Sequence, residues 1–477
     1  MSTLLTLVLL LHLIVALPVC VHILLTKDET AAPPWLALVL SSPFLGAFFY
    51  WILGINRVQR RARRFRGRQA RYIPQPRDRA LPFADLPTGQ QRQLFHYESA
   101  VHDSPFLGGN TVTPLIGADQ AFPDMLSAIA AAKTNIALSV YIFDADEIGE
   151  KFITALTAAF ARGVSVHVLV DEIGSGNKSR DADRELAKAG IETARFIPQK
   201  IKFLPVVNLR NHRKIMIVDG TVGFIGGMNI CLNYGPKAKG GSRSASREPV
   251  RDLHFRVTGP SLEQMSAIFE EDWKFASGKS ITLPVTKARR EDANLPQYVR
   301  IVPDGPDNPF QRTLWIMLGA LALAQKSVHI LTPYFLPNAM LTSALAVAAL
   351  RGIDVRVVVP AKTDIRLVDW AMAAKFQDLL EHGVKIYTAG KPFDHSKLMV
   401  VDDVWVLVGS SNWDQRSLRL NFEANLECYD ADLAATMEAH YQAMQGRAEL
   451  VSLARVQAVP RRIRLRNNLA RLFTPYL

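Results

Sequence analysis

Two stretches of this chain obey one spacing rule, and its fold has to accommodate both. Residues 211–229 read NHRKIMIVDGTVGFIGGMN, and residues 394–412 read DHSKLMVVDDVWVLVGSSN. Each runs His, one residue, Lys, four residues, Asp, six residues, Gly-Gly or Gly-Ser, one residue, Asn. The short His-Lys-Asp string can arise by accident, but the longer pattern occurring twice in one chain does not. Wider matches surround it. AIAAAKTNIALSVYIF at 128–143 parallels ALALAQKSVHILTPYF at 320–335, and AFARGVSVHVLV at 159–170 parallels ALRGIDVRVVV at 349–359. Lys133 matches Lys326, Tyr141 matches Tyr334, and Arg162-Gly163 matches Arg351-Gly352. Each copy therefore reads as an Ala-rich helix, a β-branched strand, a helix, Arg-Gly, a second strand and a hairpin. Alternating strands and helices predict an α/β class, here two sandwich repeats related by a pseudo-two-fold and packed face to face.

Within each hairpin, Asp219-Gly220 and Asp402-Asp403 are the expected turn pairs. His212 and Lys214 stand two apart, as do His395 and Lys397, so on a strand each pair projects from one face. Two histidines, two lysines and two asparagines converging on one interface suit a phosphodiester. A neutral imidazole attacks phosphorus, and a second, protonated one gives a proton to the leaving alkoxide. Lys ammonium groups and the amides of Asn229 and Asn412 cradle the non-bridging phosphate oxygens. The chemistry needs no metal or cofactor, and no His/Cys/Asp cluster has ligand spacing. Each histidine requires an acceptor on its other nitrogen to fix the tautomer. Asp252 follows His212, and Glu423 holds the comparable place after His395, so each is expected to orient the histidine of its own half. Tyr141, Phe143, Tyr334 and Phe335 are candidates to line an apolar approach.

The chain's first 56 residues carry a different signal. Residues 3–25 and 33–55 hold no charged side chain, and each is long enough to cross the hydrocarbon of a bilayer as a helix. A cleaved signal peptide would start with positive charge, which Met-Ser-Thr does not supply. Eight arginines crowd residues 57–71 with no acid among them, which places that side in the cytoplasm. Lys and Arg exceed Asp and Glu by 56 − 44 = 12. Much of that excess is thus a topology signal, directed at an anionic membrane surface and not at nucleic acid. The basic stretch 235–251, with Lys237, Lys239, Arg243 and Arg247, is a candidate mobile contact to anionic lipid. The tail RRIRLRNNLARLFTPYL reads as an interfacial amphipathic helix or a solvated tail. Three scattered cysteines, Cys20, Cys231 and Cys428, exclude a disulfide framework and a zinc ribbon. The expected organisation is a two-helix transmembrane hairpin at 1–56, a basic linker and lead-in at 57–109, a first repeat at 110–303, and a second repeat with the basic tail at 304–477.

The paired motifs resemble the His-Lys-Asp signatures of the phospholipase D superfamily. With two N-terminal spans, TPYFLP at 332–337 and RSLRLNFE at 416–423, the chain resembles its bacterial cardiolipin synthases over nearly its whole length. The resemblance implies two phospholipase D-like repeats sharing one active site, with His212, Lys214, Asp219, His395, Lys397 and Asp402 as its catalytic residues. It also implies phosphatidyl transfer between two phosphatidylglycerol molecules through a phosphatidyl-histidine, giving cardiolipin and glycerol at the bacterial inner membrane. By family precedent His212 is then the nucleophile and His395 the acid and base, and the reverse assignment uses the same residues. The first motif ends in Gly-Gly where many relatives have Gly-Ser, which puts a hydroxyl contact there in question. A hydrolase using water as acceptor, and a membrane-tethered nuclease, would use the same residues. No aromatic-basic strip for stacking bases is evident, which counts against the nuclease.

Overall fold

The computed structural model describes residues 2–27, 29, 31–54, 89–102, 104–175, 181–196, 209–235, 249–285, 297–307, 310–475 and 477. The chain divides into two compact units, Met1–Ala62 and Arg63–Leu477.

In the first unit, residues Ser2–Thr26 form one helix. Its side chains are described continuously from Leu10 on, and among the described residues no helix is long and apolar enough to cross a membrane. The second expected span is broken. It consists of the helices Ala32–Ser41 and Pro43–Phe49 and a wider turn at Tyr50–Gly54. The break has a local cause: Pro43 has no N–H to continue the ladder, and Ser42 before it is extended. Ala16, Ile23, Val39 and Tyr50 form the unit's small core.

The second unit carries two mixed sheets built to one plan. The first contains β1 (Thr111–Ile116), β2 (Asn135–Val140), β3 (Ser165–Val170) and β4 (Glu192–Arg195). The short strand β5 (Arg210–Asn211) follows, then the hairpin β6 (Ile215–Val218) and β7 (Val222–Gly226), then β8 (Leu253–Thr258). The second half contains β9 (Tyr298–Asp304), β10 (Ser327–Leu331), β11 (Asp354–Pro360), β12 (Lys385–Ala389), β13 (Leu398–Val401), β14 (Trp405–Gly409), β15 (Asn421–Tyr429) and β16 (Ala448–Leu450). The first sheet runs β1-β8-β7-β6-β2-β3-β4; the second repeats that order as β9-β15-β14-β13-β10-β11-β12, with β16 added at the edge. In each, three strands joined through helices are parallel, and the hairpin and its neighbours are antiparallel. The central strands β2, β6, β13 and β14 are buried throughout, as strands covered on both faces must be.

The repeated residues outside the motifs explain themselves here. Arg162 donates to the carbonyls of Ile129 and Ala130, the last turn of the helix Ala118–Ala131. Arg351 does the same to Leu321 and Ala322 at the end of the helix Arg312–Leu323. Each arginine thus satisfies orphan carbonyls and complements a helix dipole. The glycine after it has a positive φ, 91° at Gly163 and 87° at Gly352, where a β-carbon would be strained. The lead-in segment contributes a helix, Gln90–Val101, whose Leu94, Phe95 and Val101 join the core of the second half.

Two short cross-connections seat the halves on each other. β5 pairs in parallel with the start of β15, so the His212 N–H donates to the Phe422 carbonyl at 2.8 Å. A bridge joins Arg251 and Asp394, and the His395 N–H donates to the Arg251 carbonyl at 2.7 Å.

Candidate active site

The cross-connections decide the site. Because His212 is tied to Phe422, its neighbour Glu423 lies under the His212 ring, and Nδ1–H donates to Glu423 Oε2 at 3.0 Å. Because His395 is tied to Arg251, its ring meets Asp252, with Nδ1–H donating to Oδ2 at 2.8 Å. Each histidine is therefore oriented by a carboxylate of the opposite half, and the expected pairing within each half is corrected. With Nδ1 committed to a carboxylate, Nε2 is the nitrogen left to react. Both rings line one cavity of about 970 Å³, together with Asn229 and Asn412.

His212 and Lys214 precede β6 instead of lying on it, and His395 and Lys397 precede β13. Both lysines are buried. Lys214 Nζ donates to the His212 carbonyl at 2.6 Å, and Lys397 Nζ donates to the His395 carbonyl and lies 2.8 Å from His395 Nδ1. Burial is the main force on all four groups. It lowers His212 to about 4 against the opposing Glu423, and it lowers His395 with help from the Lys397 charge. It brings Lys214 to about 7 and Lys397 to about 8. At neutral pH the His212 ring is thus uncharged, and the lysines sit where a bound anion readily keeps them protonated.

Asp219 and Asp402 are not brought to this cavity. Each occupies the first position of its hairpin turn, with φ of 53° and 54°. Asp219 accepts from the backbone N–H groups of Lys133, Thr134 and Asn135 at 2.8–3.0 Å and from the Thr134 hydroxyl. Asp402 accepts from those of Gln325, Lys326 and Ser327. They clasp the hairpin to the start of the neighbouring strand. Burial alone would raise Asp219, but the donors outweigh it and hold the carboxyl below its usual range. The matched lysines are one place apart in the clasp: Lys133 gives its backbone N–H where Gln325 does, and Lys326 where Thr134 does.

The Gly-Gly and Gly-Ser ends also find their reason. A β-carbon on Gly227 would lie 2.3 Å from Asp252 Oδ1, so the short carboxylate sits where a side chain is missing. In the other half Ser410 occupies that place; burial alone would raise Glu423, but His212, the Lys214 charge and, least, the Ser410 hydroxyl outweigh it and hold the longer carboxyl below its usual range. Of the four aromatic candidates, Tyr141 and Tyr334 line the cavity, whereas Phe143 and Phe335 are buried in the two cores.

Several site residues were not singled out from the sequence. Tyr234 places its hydroxyl 3.2 Å from His395 Nδ1 and receives Asn229 Nδ2 at 3.4 Å. Arg213, fully buried, donates to Asp272, to the Asp304 carbonyl and to the Glu423 carbonyl, fixing the segment between β5 and β6 that carries His212. Its signal was its place inside the His-x-Lys motif, where alternation turns it away from the reacting face. The basic stretches 57–71 and 236–248 lie outside the described residues, as do Lys237, Lys239, Arg243 and Arg247.

Comparison with known proteins gives the family. The family described as "Cardiolipin synthase, PLD-like domain" matches residues 125–234 and 317–445, which contain both hairpins. A cardiolipin synthase of Geobacillus sp. (strain WCH70) is 32% identical over 454 residues, covering 93% of this chain and 88% of that one. The chain belongs to the cardiolipin synthase family. The "Major cardiolipin synthase ClsA" of Bacillus subtilis (strain 168) is also 32% identical, over 94% of each chain. In fold, this cardiolipin synthase family chain resembles the crystal structure of phosphatidylserine synthase from Haemophilus influenzae Rd KW20, with a TM-score of 0.62 at 16% identity. That likeness covers 81% of this chain and 100% of the other.

Proposed function

We propose that the protein is a cardiolipin synthase that moves a phosphatidyl group from one phosphatidylglycerol to a hydroxyl of a second. The observation that carries this reading is the crosswise pairing of His212 with Glu423 and His395 with Asp252 around one cavity. In the first step His212 Nε2 bonds to phosphorus, the bond to the glycerol oxygen breaks, and that oxygen takes a proton from His395. In the second, His395 accepts the proton of the incoming hydroxyl as it attacks phosphorus and the P–N bond to His212 breaks. Lys214, Lys397, Asn229 and Asn412 stabilise the phosphate charge as it builds. One phosphodiester replaces another, so the exchange needs no external energy source. A resting His395 held low by burial gains its proton once the anionic substrate enters.

Membrane attachment belongs to the same reading. Residues 1–56 act as a hydrophobic hairpin anchor in the bacterial cell membrane, with the catalytic region 110–477 on the cytoplasmic side. The C-terminal helix Arg461–Arg471 supports a further anionic-surface contact. Its Asn467 and Ala470 are buried, whereas Leu465, Leu469 and the following Leu472 are exposed among arginines. A helix that turns its leucines outward between cations matches an anionic bilayer surface better than water. The test is incubation of purified protein in micelles with phosphatidylglycerol alone, followed by lipid mass spectrometry. Cardiolipin with equimolar glycerol is expected. Phosphatidic acid as the sole product would make the protein a hydrolase.

A further inference from the structure

Transfer to a lipid raises a demand that hydrolysis does not. The acceptor phosphatidylglycerol brings its own phosphodiester, and the product carries two phosphates joined by one three-carbon glycerol. The histidines, lysines and asparagines hold only the phosphate that reacts. A second anion has to be neutralised inside the same cavity, close by.

Two arginines from opposite halves meet there. Arg210 lies on β5, two residues before His212, and its partner across the ladder is Asn421. Arg416 lies in the short helix Gln415–Arg419, four residues after Asn412. Both line the cavity that holds the histidines. They are close enough to repel: after burial, the Arg210 charge is the largest influence lowering Arg416. Tyr141 links them to the reaction centre. Its hydroxyl lies close enough to feel both guanidinium charges, while its ring meets the His212 ring edge-on with centroids 4.9 Å apart. Arg210 Nε is buried with no hydrogen-bond partner among the described residues. The neighbouring carboxylates feel the arginine charges but are also held by backbone donors. Asp171 accepts from the backbone N–H groups of Asn211, Ile173 and Gly174, and Asp414 accepts from that of Ser417.

We propose that Arg210 and Arg416 form a seat for the phosphodiester of the acceptor lipid, one tyrosine ring away from the reacting phosphorus. Two guanidinium groups drawn together in a partly buried cleft repel each other until an anion sits between them. Their planar forks match phosphate oxygens in a way that lysine does not. The arginines and the histidines line the same cavity, so an acceptor phosphate held by the arginines directs its glycerol hydroxyl into the space of the phosphatidyl-histidine. Water needs no such seat, so the pair favours a lipid acceptor over hydrolysis.

The proposal rests on the transfer reading, and its test separates the two. Full-length protein with Arg210→Gln, and separately Arg416→Lys, is assayed in micelles for two reactions. One is cardiolipin formation from phosphatidylglycerol. The other is exchange of labelled glycerol into phosphatidylglycerol, which runs the same histidine chemistry with an acceptor that has no phosphate. Cardiolipin formation is expected to fall at least about tenfold, with exchange held within about threefold and phosphatidic acid rising as a share of product. Glycerol 1-phosphate is expected to inhibit cardiolipin formation by the unaltered protein and to lose that effect in Arg210→Gln. Equal loss of both reactions, or no loss of either, would overturn the second seat. Failure of the unaltered protein to make any cardiolipin would instead overturn the transfer reading.

Discussion

The crosswise pairing makes a prediction that pairing within each half does not. Consider Glu423→Gln and Asp252→Asn, each nearly isosteric. Glu423 is fully buried, and its oxygen lies 3.0 Å from His212 Nδ1; Asp252 is equally buried at 2.8 Å from His395. A hydrogen bond to a charged group contributes about 1.5–3 kcal/mol. Its loss at the reacting ring corresponds to roughly tenfold to 150-fold in rate. With phosphatidylglycerol both variants are slow, so the discriminating substrate is phosphatidyl-p-nitrophenol, whose leaving group departs without a proton. The assay is rapid quench, release of nitrophenolate, and mass mapping of the phosphatidyl-histidine. Asp252→Asn should regain a fast burst and accumulate label on His212, because only the second step still needs His395 as base. Glu423→Gln should keep a slow burst, because the nucleophile itself is misoriented. The reverse pattern, a fast burst in Glu423→Gln and a slow one in Asp252→Asn, would refute the role assignment. Label found on His395 would refute it as well.

Other outcomes follow from the same geometry. Asp219→Ala should lower stability by about 2–4 kcal/mol through the lost clasp, read as a fall in Tm, while kcat of the folded fraction stays nearly unchanged. Since folding lowers the Asp219 pKa, its contribution is present above the unfolded carboxyl value and fades as pH falls through the folded one; the Asp219→Ala deficit should therefore shrink in acid. The kcat/KM profile should lose its alkaline limb as Lys214 and Lys397 give up protons, with values of about 7 and about 8 in the free protein. Lys214→Met should flatten the lower of those two steps. Gly227→Ser should cut kcat at least about tenfold, since its β-carbon would displace the Asp252 carboxylate from His395. Replacing Leu465, Leu469 and Leu472 together by Ser should raise the apparent KM for phosphatidylglycerol in vesicles with Tm unchanged, because all three side chains are exposed.

The sequence disclosed what repetition and spacing encode. The two-copy α/β plan, the hairpin turns at Asp219 and Asp402 and the pairing of His212 with His395 all follow from periodicity and duplication. Contacts that depend on how two copies dock were out of reach. Nothing in the spacing after His212 says that its carboxylate arrives from residue 423, because that contact forms only when β5 joins β15. Asp219 and Asp402 misled for a related reason. A residue repeated in matched motifs is needed at its place, but the need here is a grip on three amides. The second expected span is interrupted at Pro43, a signal present in the sequence beside the hydropathy.

Crosswise docking also accounts for how two halves of one plan yield two different histidines. A symmetric pair would titrate alike and could not divide into nucleophile and acid. Here the exchange of carboxylates gives each ring surroundings drawn from the other copy, so small differences between copies become differences between catalysts. His212 receives the longer Glu423 with the Ser410 hydroxyl behind it and the Tyr141 ring beside it. His395 receives the shorter Asp252 against a bare Gly227, with the Tyr234 hydroxyl and the Lys397 ammonium at its Nδ1. Neither half holds a complete histidine on its own. A lone copy would present an imidazole without its acceptor, so the duplicated chain is the smallest unit in which this chemistry closes.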